Sequence, residues 1–215
     1  MKEKDTGRPR NPEVEARALQ AAIELYGDRG WNGFTLTDVV RQAKIGKSSL
    51  YSRWDSKGSI LLCAFRRFVQ GCTPEGDTIE EILSREAAHR FRQFVGPYGK
   101  PAHRLLTEAG SLQDTELFTV YEATFLKPNE ILKQRLWQFK ENGQIGADVS
   151  ISRLLDSLQG AIFMRSIFVA ASQKTCFIEG LDEYIANVIH DHLRSIYYTN
   201  EASARNIMAR TLLVS

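Results

Sequence analysis

Residues 47–53, with the sequence KSSLYSR, place short polar and basic side chains next to one another. In a helix, Leu50 and Trp54 would share one face, because they are four residues apart, and could anchor it to a core. The opposite face would show Lys47, Ser48 and Ser52, and could include Ser49 and Arg53. A polar face without bulky groups can enter the major groove of DNA and hydrogen-bond base edges.

A second short helix is expected just before this one, over Leu36–Ala43. Thr35 is a suitable N-cap, and Asp38 three residues later completes an approximate capping box. Lys44-Ile45-Gly46 then forms a turn to the helix expected over Lys47–Trp54. Two short helices joined by a tight turn predict a helix-turn-helix.

The rest of the chain shows helical rather than strand-like periodicity, so the sequence predicts an all-α protein. The first helix is expected over Glu13–Arg29, with Pro12 in its first turn, and a fourth follows Ser56. Later helices are expected at 78–95, 102–112, 115–126, 129–142, 150–172 and 181–197.

A domain boundary is expected near residue 70. Residues 1–70 carry 13 Lys and Arg against 8 Asp and Glu, a net charge of +5, whereas residues 71–215 carry 15 against 18, a net charge of −3. A Gly-, Thr- and Pro-containing break over 71–77 coincides with this change of sign. The basic first third suggests a polyanionic partner. We predict a basic arm over 1–12, a helix-turn-helix domain over 13–70 and a helical domain over 71–215.

Composition excludes several other classes. The chain is 43% hydrophobic and 25% charged, with 15 Gly and 6 Pro, which is typical of a globular protein and not of a disordered or collagen-like one. No apolar run approaches the roughly 20 residues that span a membrane. The three cysteines form no CxxC pair, which favours a reducing, cytoplasmic setting.

The stretch from Arg17 to Phe65 resembles the DNA-binding domain of the TetR family of bacterial transcriptional regulators. The resemblance is carried by A21-A22-x-x-L25-Y26 with G30, then by F34-T35-L36-T37-D38-V39, A43-K44-I45, S49-L50-Y51-S52-R53-W54 and S56-K57. The chain departs from the family pattern at Lys44, Ser48 and Gly58, where Gly, Gly and Glu are usual. The resemblance implies about nine helices and a DNA-binding function, with the chain located in the cytoplasm on the nucleoid.

The resemblance also implies roles for single residues. Thr35 and Thr37 would meet phosphates at a helix start, where the dipole favours anions. Tyr51 and Lys57 would meet phosphates as well. Base edges or nearby phosphates would be contacted from the recognition helix by Lys47, Ser48 and Ser49, with Arg53 as an added basic contact.

Two arginines, Arg8 and Arg10, flank Pro9 ahead of the first helix. A flexible arm of this kind can enter an A·T-rich minor groove, where the negative potential is enhanced. The alternative is a solvated tail without function.

The resemblance implies that the C-terminal helices form an effector cavity and a homodimer face. Dimerisation would let two recognition helices reach successive major grooves of a near-palindromic operator. Apolar residues on the two longest stripes are the expected interface: Leu154, Leu158, Ile162, Ile185, Val188, Ile189 and His192. Aromatic residues are the expected lining of a pocket for an unknown small molecule: Phe91, Phe94, Tyr121, Phe125, Trp137 and Phe163.

The alternative function is a helical small-molecule-binding protein or enzyme without DNA function. GxSxG, HExxH, Walker A and CxxC motifs are all absent from the sequence. His190 and His192 are two residues apart, so they lie on different sides of a helix and are not expected to share a metal. We therefore predict no catalytic residue, no metal and no cofactor, and a ligand-responsive repressor as the function.

Overall fold

The computed structural model describes residues 12–69, 75–110 and 114–194, and within these ranges it contains helices and no strand, which confirms the all-α class. An eleventh helix, α11, covers 181–194. The first ten are α1 (Pro12–Arg29), α2 (Leu36–Ala43), α3 (Lys47–Tyr51), α4 (Lys57–Phe68), α5 (Ile79–Val95), α6 (Gly99–Glu108), α7 (Thr115–Tyr121), α8 (Lys127–Glu141), α9 (Ile151–Phe168) and α10 (Lys174–Glu179).

Local signals set the ends of the helices around the turn. Thr35 and Asp38 form the predicted capping box at the start of α2, and Ser56 forms a second one with Ser59 at the start of α4. Lys44 ends α2 in the left-handed region, with φ 52°. This conformation suits glycine, so the lysine at this position is held there at a cost.

Helix α3 is shorter than predicted. It ends at Tyr51 and not at Trp54, because the N–H groups of Arg53 and Trp54 both donate to the carbonyl oxygen of Leu50 and close the helix. The four residues beyond it, 52–55, lead directly into the Ser56 cap of α4.

Proline positions account for two other differences from prediction. Helix α6 begins at Gly99, three residues before the predicted start, with Pro101 in its first turn. The break expected at Pro128 is absent, because α7 runs through a π-helical turn, Glu122–Leu126, into α8 with Pro128 in the first turn.

The chain divides into two compact units. One contains Met1–Gln70 together with Lys100–Glu122, and the other contains Gly71–Gly99 together with Ala123–Ser215. The sequence analysis placed 13–70 in one domain and all of 71–215 in another, whereas this division groups Lys100–Glu122 with the helix-turn-helix. The residues of α6 from Lys100 onward and those of α7 pack with the helix-turn-helix helices.

The first unit is centred on Tyr26, whose side chain is fully buried. Its ring meets Phe34 and Phe65 edge-on, with ring centroids 6.4 and 5.9 Å apart. Leu50 and Trp54 are also buried, so α3 is anchored through the two predicted residues.

The second unit is built around α5, α8 and α9. Phe91 of α5, Leu132 and Leu136 of α8, and Leu158 and Ile162 of α9 supply much of its core. Among the described residues, no helix is long and apolar enough to cross a membrane.

Candidate DNA-binding site

The outward side of α3 is polar and open to solvent. Lys47 and Ser48 are exposed, Ser49 is half-buried, and Tyr51 keeps 52% of its surface exposed. Leu50 lies fully buried beneath them. A rigidly anchored helix with a small polar face can lie in a major groove without displacing the domain's own core.

Thr35 and Thr37 stand exposed at the start of α2. The Thr35 hydroxyl accepts from the Asp38 N–H at 3.2 Å and donates to Asp38 Oδ2 at 2.7 Å. These bonds from Thr35, with a smaller contribution from Arg41 and Arg29, lower the pKa of Asp38. The charged cap fixes the helix start at which a phosphate could also dock.

Arg53 is folded back onto α3. Its Nη1 donates to the Ser49 carbonyl oxygen at 2.7 Å, and its Nε is buried without a partner. The guanidinium therefore lies at the carboxyl end of the recognition helix and not on its outward face.

Lys57 points into the protein in this structure, whereas the family resemblance implied a phosphate contact. Its Nζ donates to the Trp31 carbonyl oxygen at 2.5 Å and lies 4.0 Å from the centroid of the Trp31 ring. Burial lowers the pKa of Lys57, and the carboxylates of Asp114 and Glu116 partly oppose this shift. Lys57 must leave Trp31 before it can reach a phosphate.

Three carboxylates from the α6–α7 segment hold the helix-turn-helix, and the sequence analysis assigned none of them to it. Glu108 accepts from the Trp31 backbone N–H at 3.1 Å, and Asp114 accepts from Trp31 Nε1 at 2.8 Å. Glu116 accepts from the Gly58 N–H at 2.7 Å, at the start of α4. The sequence offered one sign of these contacts, Gly58, which stands where the family pattern usually has glutamate.

The missing side chain of Gly58 makes room for Glu116. A Cβ at position 58 would lie 2.7 Å from both Cβ and Oε2 of Glu116. The departure from the usual glutamate therefore has a structural consequence, since it admits a carboxylate from α7 to the first turn of α4.

The six predicted ligand-lining residues do not form one wall. Phe94, Phe125 and Phe163 do meet, with Phe94 stacked on Phe125 at 6.2 Å and edge-on to Phe163 at 5.6 Å. Phe91 belongs to another aromatic cluster, with Phe177 and Tyr184.

The other two members of that set lie elsewhere. Trp137 is 47% exposed, with Lys140 over its ring. Tyr121 belongs to the first unit, where its ring meets Phe118. Of the six predicted lining residues, the structure therefore brings together Phe94, Phe125 and Phe163, and a pocket there stays a prediction.

Most of the predicted dimer face is buried within a single copy of the chain. Five of the seven residues lie in the core of their own unit: Leu154, Leu158, Ile162, Ile185 and Ile189. Val188 and His192 are half-buried, and His192 bonds Ser157 and the Val188 carbonyl oxygen. The apolar side chains that α9 leaves exposed are instead Met164, Ile167 and Phe168.

The arginines of the predicted minor-groove arm, Arg8 and Arg10, lie outside the described residues. Within the described ranges, no three His, Cys, Asp or Glu side chains are grouped so that they could hold a metal ion.

The capped α2, the tight turn at Lys44 and the polar α3 define a helix-turn-helix DNA-binding protein. Residues 18–63 match the model for bacterial regulatory proteins of the tetR family. These residues therefore form a DNA-binding domain like those of the tetR family, and the chain is a DNA-binding transcriptional regulator. The family consists of transcriptional regulators, which are not enzymes.

Relatives and solved structures extend the similarity beyond this domain. The uncharacterized HTH-type transcriptional regulator YdeS of Bacillus subtilis is 23% identical over 198 residues, covering 90% of this chain and 95% of YdeS. The biofilm operon icaADBC negative regulator IcaR of Staphylococcus epidermidis is 32% identical over 59 residues, 27% of this chain and 30% of IcaR. The structure of FadR from Bacillus subtilis in complex with stearoyl-CoA covers 81% of this chain and 96% of FadR at 16% identity, with a TM-score of 0.58, and shows the same fold.

Proposed function

We propose that the protein is a homodimeric repressor that leaves a near-palindromic operator when a small molecule binds its second unit. The observation that carries the proposal is the exposed polar face of α3, anchored by Leu50 and flanked by the exposed start of α2. In this account, Lys47, Ser48, Ser49 and Tyr51 contact the operator from α3.

Repression is the proposed direction of control. IcaR, which is similar over the helix-turn-helix, is named a negative transcriptional regulator. Thr35 and Thr37 would bind phosphates from the start of α2, and Arg8 and Arg10 would add minor-groove contacts. These contacts fix position and register on the duplex but do not by themselves decide which genes are controlled.

A dimer is proposed because one recognition helix reads only one half-site. Two copies are needed to reach major grooves roughly 34–36 Å apart. The exposed apolar group of Met164, Ile167 and Phe168 on α9 gives the second unit a surface that association would remove from water.

A small-molecule effector is proposed to bind near the cluster of Phe94, Phe125 and Phe163, of which the first two are buried and the third is half-buried. The FadR structure, which shares the fold of this chain, is a complex with stearoyl-CoA, and this supports a small-molecule ligand for the fold. To release DNA, the effector must bind more tightly to the conformer that fits the operator poorly. The protein would act in the cytoplasm on the nucleoid, without a catalytic activity of its own.

Transcription from the promoter upstream of the protein's own gene tests repression. Deleting the gene should raise reporter output from that promoter, and supplying wild-type protein should restore the low level. Supplying Tyr51→Ala should not restore it, whereas Trp137→Ala, an equally exposed aromatic on α8, should. A fall in output on deletion would show an activator and contradict the proposal.

A further inference from the structure

Helix α5 carries an unusual polar face inside the second unit. Glu86 and Arg90 are each only 5% exposed and Gln93 is 8% exposed. These three residues, at spacings of four and three, lie on one side of the helix. Buried charged residues must be paired or they destabilise the fold, so each polar atom on this face needs a partner.

Arg90 donates hydrogen bonds to both other residues of this polar face. Its Nε donates to Glu86 Oε1 at 2.7 Å, and its Nη1 donates to Gln93 Oε1 at 3.0 Å. The positive charge of Arg90 is therefore balanced by Glu86 within the same turn of the helix. Gln93 uses its oxygen in this arrangement.

The amide nitrogen of Gln93 is left without a hydrogen-bond partner, although it is buried. Nε2 of His89, one helical turn earlier on the same side, is buried and unpartnered as well. Burial, followed by the neighbouring Arg90, lowers the pKa of His89, so this ring adds no positive charge near neutral pH. A buried N–H donor without an acceptor costs free energy, which an incoming acceptor would recover.

Gln93 adjoins the aromatic cluster through its two neighbours. The guanidinium carbon of Arg90, whose Nη1 donates to Gln93, lies 5.2 Å from the centroid of the Phe125 ring. Phe94, the next residue in the chain after Gln93, stacks on Phe125 and meets Phe163 edge-on. The unpartnered amide of Gln93 thus belongs to a residue next to an aromatic cluster inside the second unit.

Charge restricts the class of ligand. An anion would have to separate Arg90 from Glu86, and a cation would find no carboxylate here that is not already paired. We propose that Gln93 Nε2 donates a hydrogen bond to the acceptor oxygen of an uncharged small molecule whose apolar body packs on Phe94, Phe125 and Phe163. The inference rests on the proposed function, since it takes the effector to bind in the second unit.

Acetophenone and ethylbenzene are suitable probes, because they are similar in size and shape and only acetophenone carries an acceptor oxygen. Titration into the ¹⁵N-labelled full chain would follow the side-chain NH₂ signals of Gln93. Acetophenone should move these signals in a saturable manner, and ethylbenzene should not move them comparably. Unmoved Gln93 signals at the highest soluble concentration of acetophenone would overturn the proposal and leave water as the natural partner.

Gln93→Glu removes the donor and retains an oxygen for Arg90. Gln138→Glu is a matched control, because Gln138 also accepts from an arginine three residues earlier, Arg135 Nη1 at 2.9 Å, but on the exposed surface. The affinity for acetophenone, relative to that for ethylbenzene, should fall roughly three- to tenfold in Gln93→Glu and stay unchanged in Gln138→Glu. Equal ratios in both variants would overturn the proposal. If Gln93→Glu does not fold, the wild-type titration still decides.

DNA release is measured separately, by anisotropy of a labelled duplex from upstream of the protein's own gene. If acetophenone moves the Gln93 signals but releases no DNA, the binding site stands. The claim that ligands of this class release DNA is then contradicted. Release by other compounds that leave the Gln93 signals unmoved would retain the repressor function and overturn the site.

Discussion

Trp31 is held on three sides by groups that are distant in sequence. Its backbone N–H and its Nε1 donate to Glu108 and Asp114, and its carbonyl oxygen accepts from Lys57. The side chain is only 3% exposed. The short turn between α1 and α2, which begins at Trp31, is thereby tied to α4 and to the segment that contains α6 and α7.

Asp114 should make the stability of the first unit pH-dependent. The hydrogen bond from Trp31, with smaller contributions from backbone N–H groups, lowers the pKa of Asp114 below its usual range. A carboxylate with a depressed pKa stabilises the fold above its unfolded-state pKa, and this contribution is lost as the pH falls through its folded-state pKa.

Asp114→Asn keeps one of the two side-chain oxygens, so it can accept from Trp31 Nε1 or from the N–H groups of the helix cap but not from both. The variant should be less stable than wild type at pH 7, and the difference should shrink as the pH falls through the acidic range. Urea unfolding at several pH values measures this, with Asp55→Asn, at an exposed aspartate, as control. A difference between wild type and Asp114→Asn that is the same at every pH would contradict the assignment.

At the scale of elements, the helix-turn-helix could be predicted because its signals are local. The Thr35 capping box and the Leu50 and Trp54 anchors lie within 20 residues and were placed correctly. The packing of α6 and α7 could not be predicted in this way. Glu108, Asp114 and Glu116 look like ordinary surface carboxylates until the fold brings them to Trp31 and Gly58.

The contact between α4 and α7 predicts that Gly58→Ala destabilises the first unit. The new Cβ would lie 2.7 Å from Glu116 Cβ, so the two helices must move apart, at a cost of about 1–3 kcal/mol. In a Glu116→Gly background the same change should cost much less, because both the Cβ and the carboxylate of residue 116 are gone. Denaturant unfolding of the four proteins in this cycle measures the coupling, and equal costs in both backgrounds would contradict it.

At the scale of the whole molecule, the apolar stripes predicted a dimer face, and most of their residues are buried within a single copy of the chain. Periodicity shows that one side of a helix is buried, but it does not show against what. Leu158 and Ile162 on α9, and Ile189 on α11, pack within their own unit. The exposed apolar residues that a second copy could contact include Ile167 and Phe168. The structure identifies them, whereas the periodicity of the sequence did not.

The proposed dimer face predicts that Phe168→Glu yields a monomer. Phe168 is 69% exposed, so a charge there should be tolerated by the fold but opposed when two copies meet. Sedimentation should show the smaller species, with DNA affinity reduced at least tenfold because only one half-site is engaged. Phe118→Glu, at a 47% exposed aromatic of the first unit, should remain dimeric. A dimeric Phe168→Glu would exclude this face.

The most direct test of the account is the contribution of α3 to DNA affinity. Anisotropy across a salt series would compare wild type, Tyr51→Ala and Trp137→Ala on the duplex upstream of the protein's own gene, since Tyr51 and Trp137 are 52% and 47% exposed. The account predicts that Tyr51→Ala loses roughly tenfold or more in affinity while remaining folded, and that Trp137→Ala stays within about twofold of wild type. Equal affinities for Tyr51→Ala and wild type would contradict the assignment of α3 as the helix that contacts DNA.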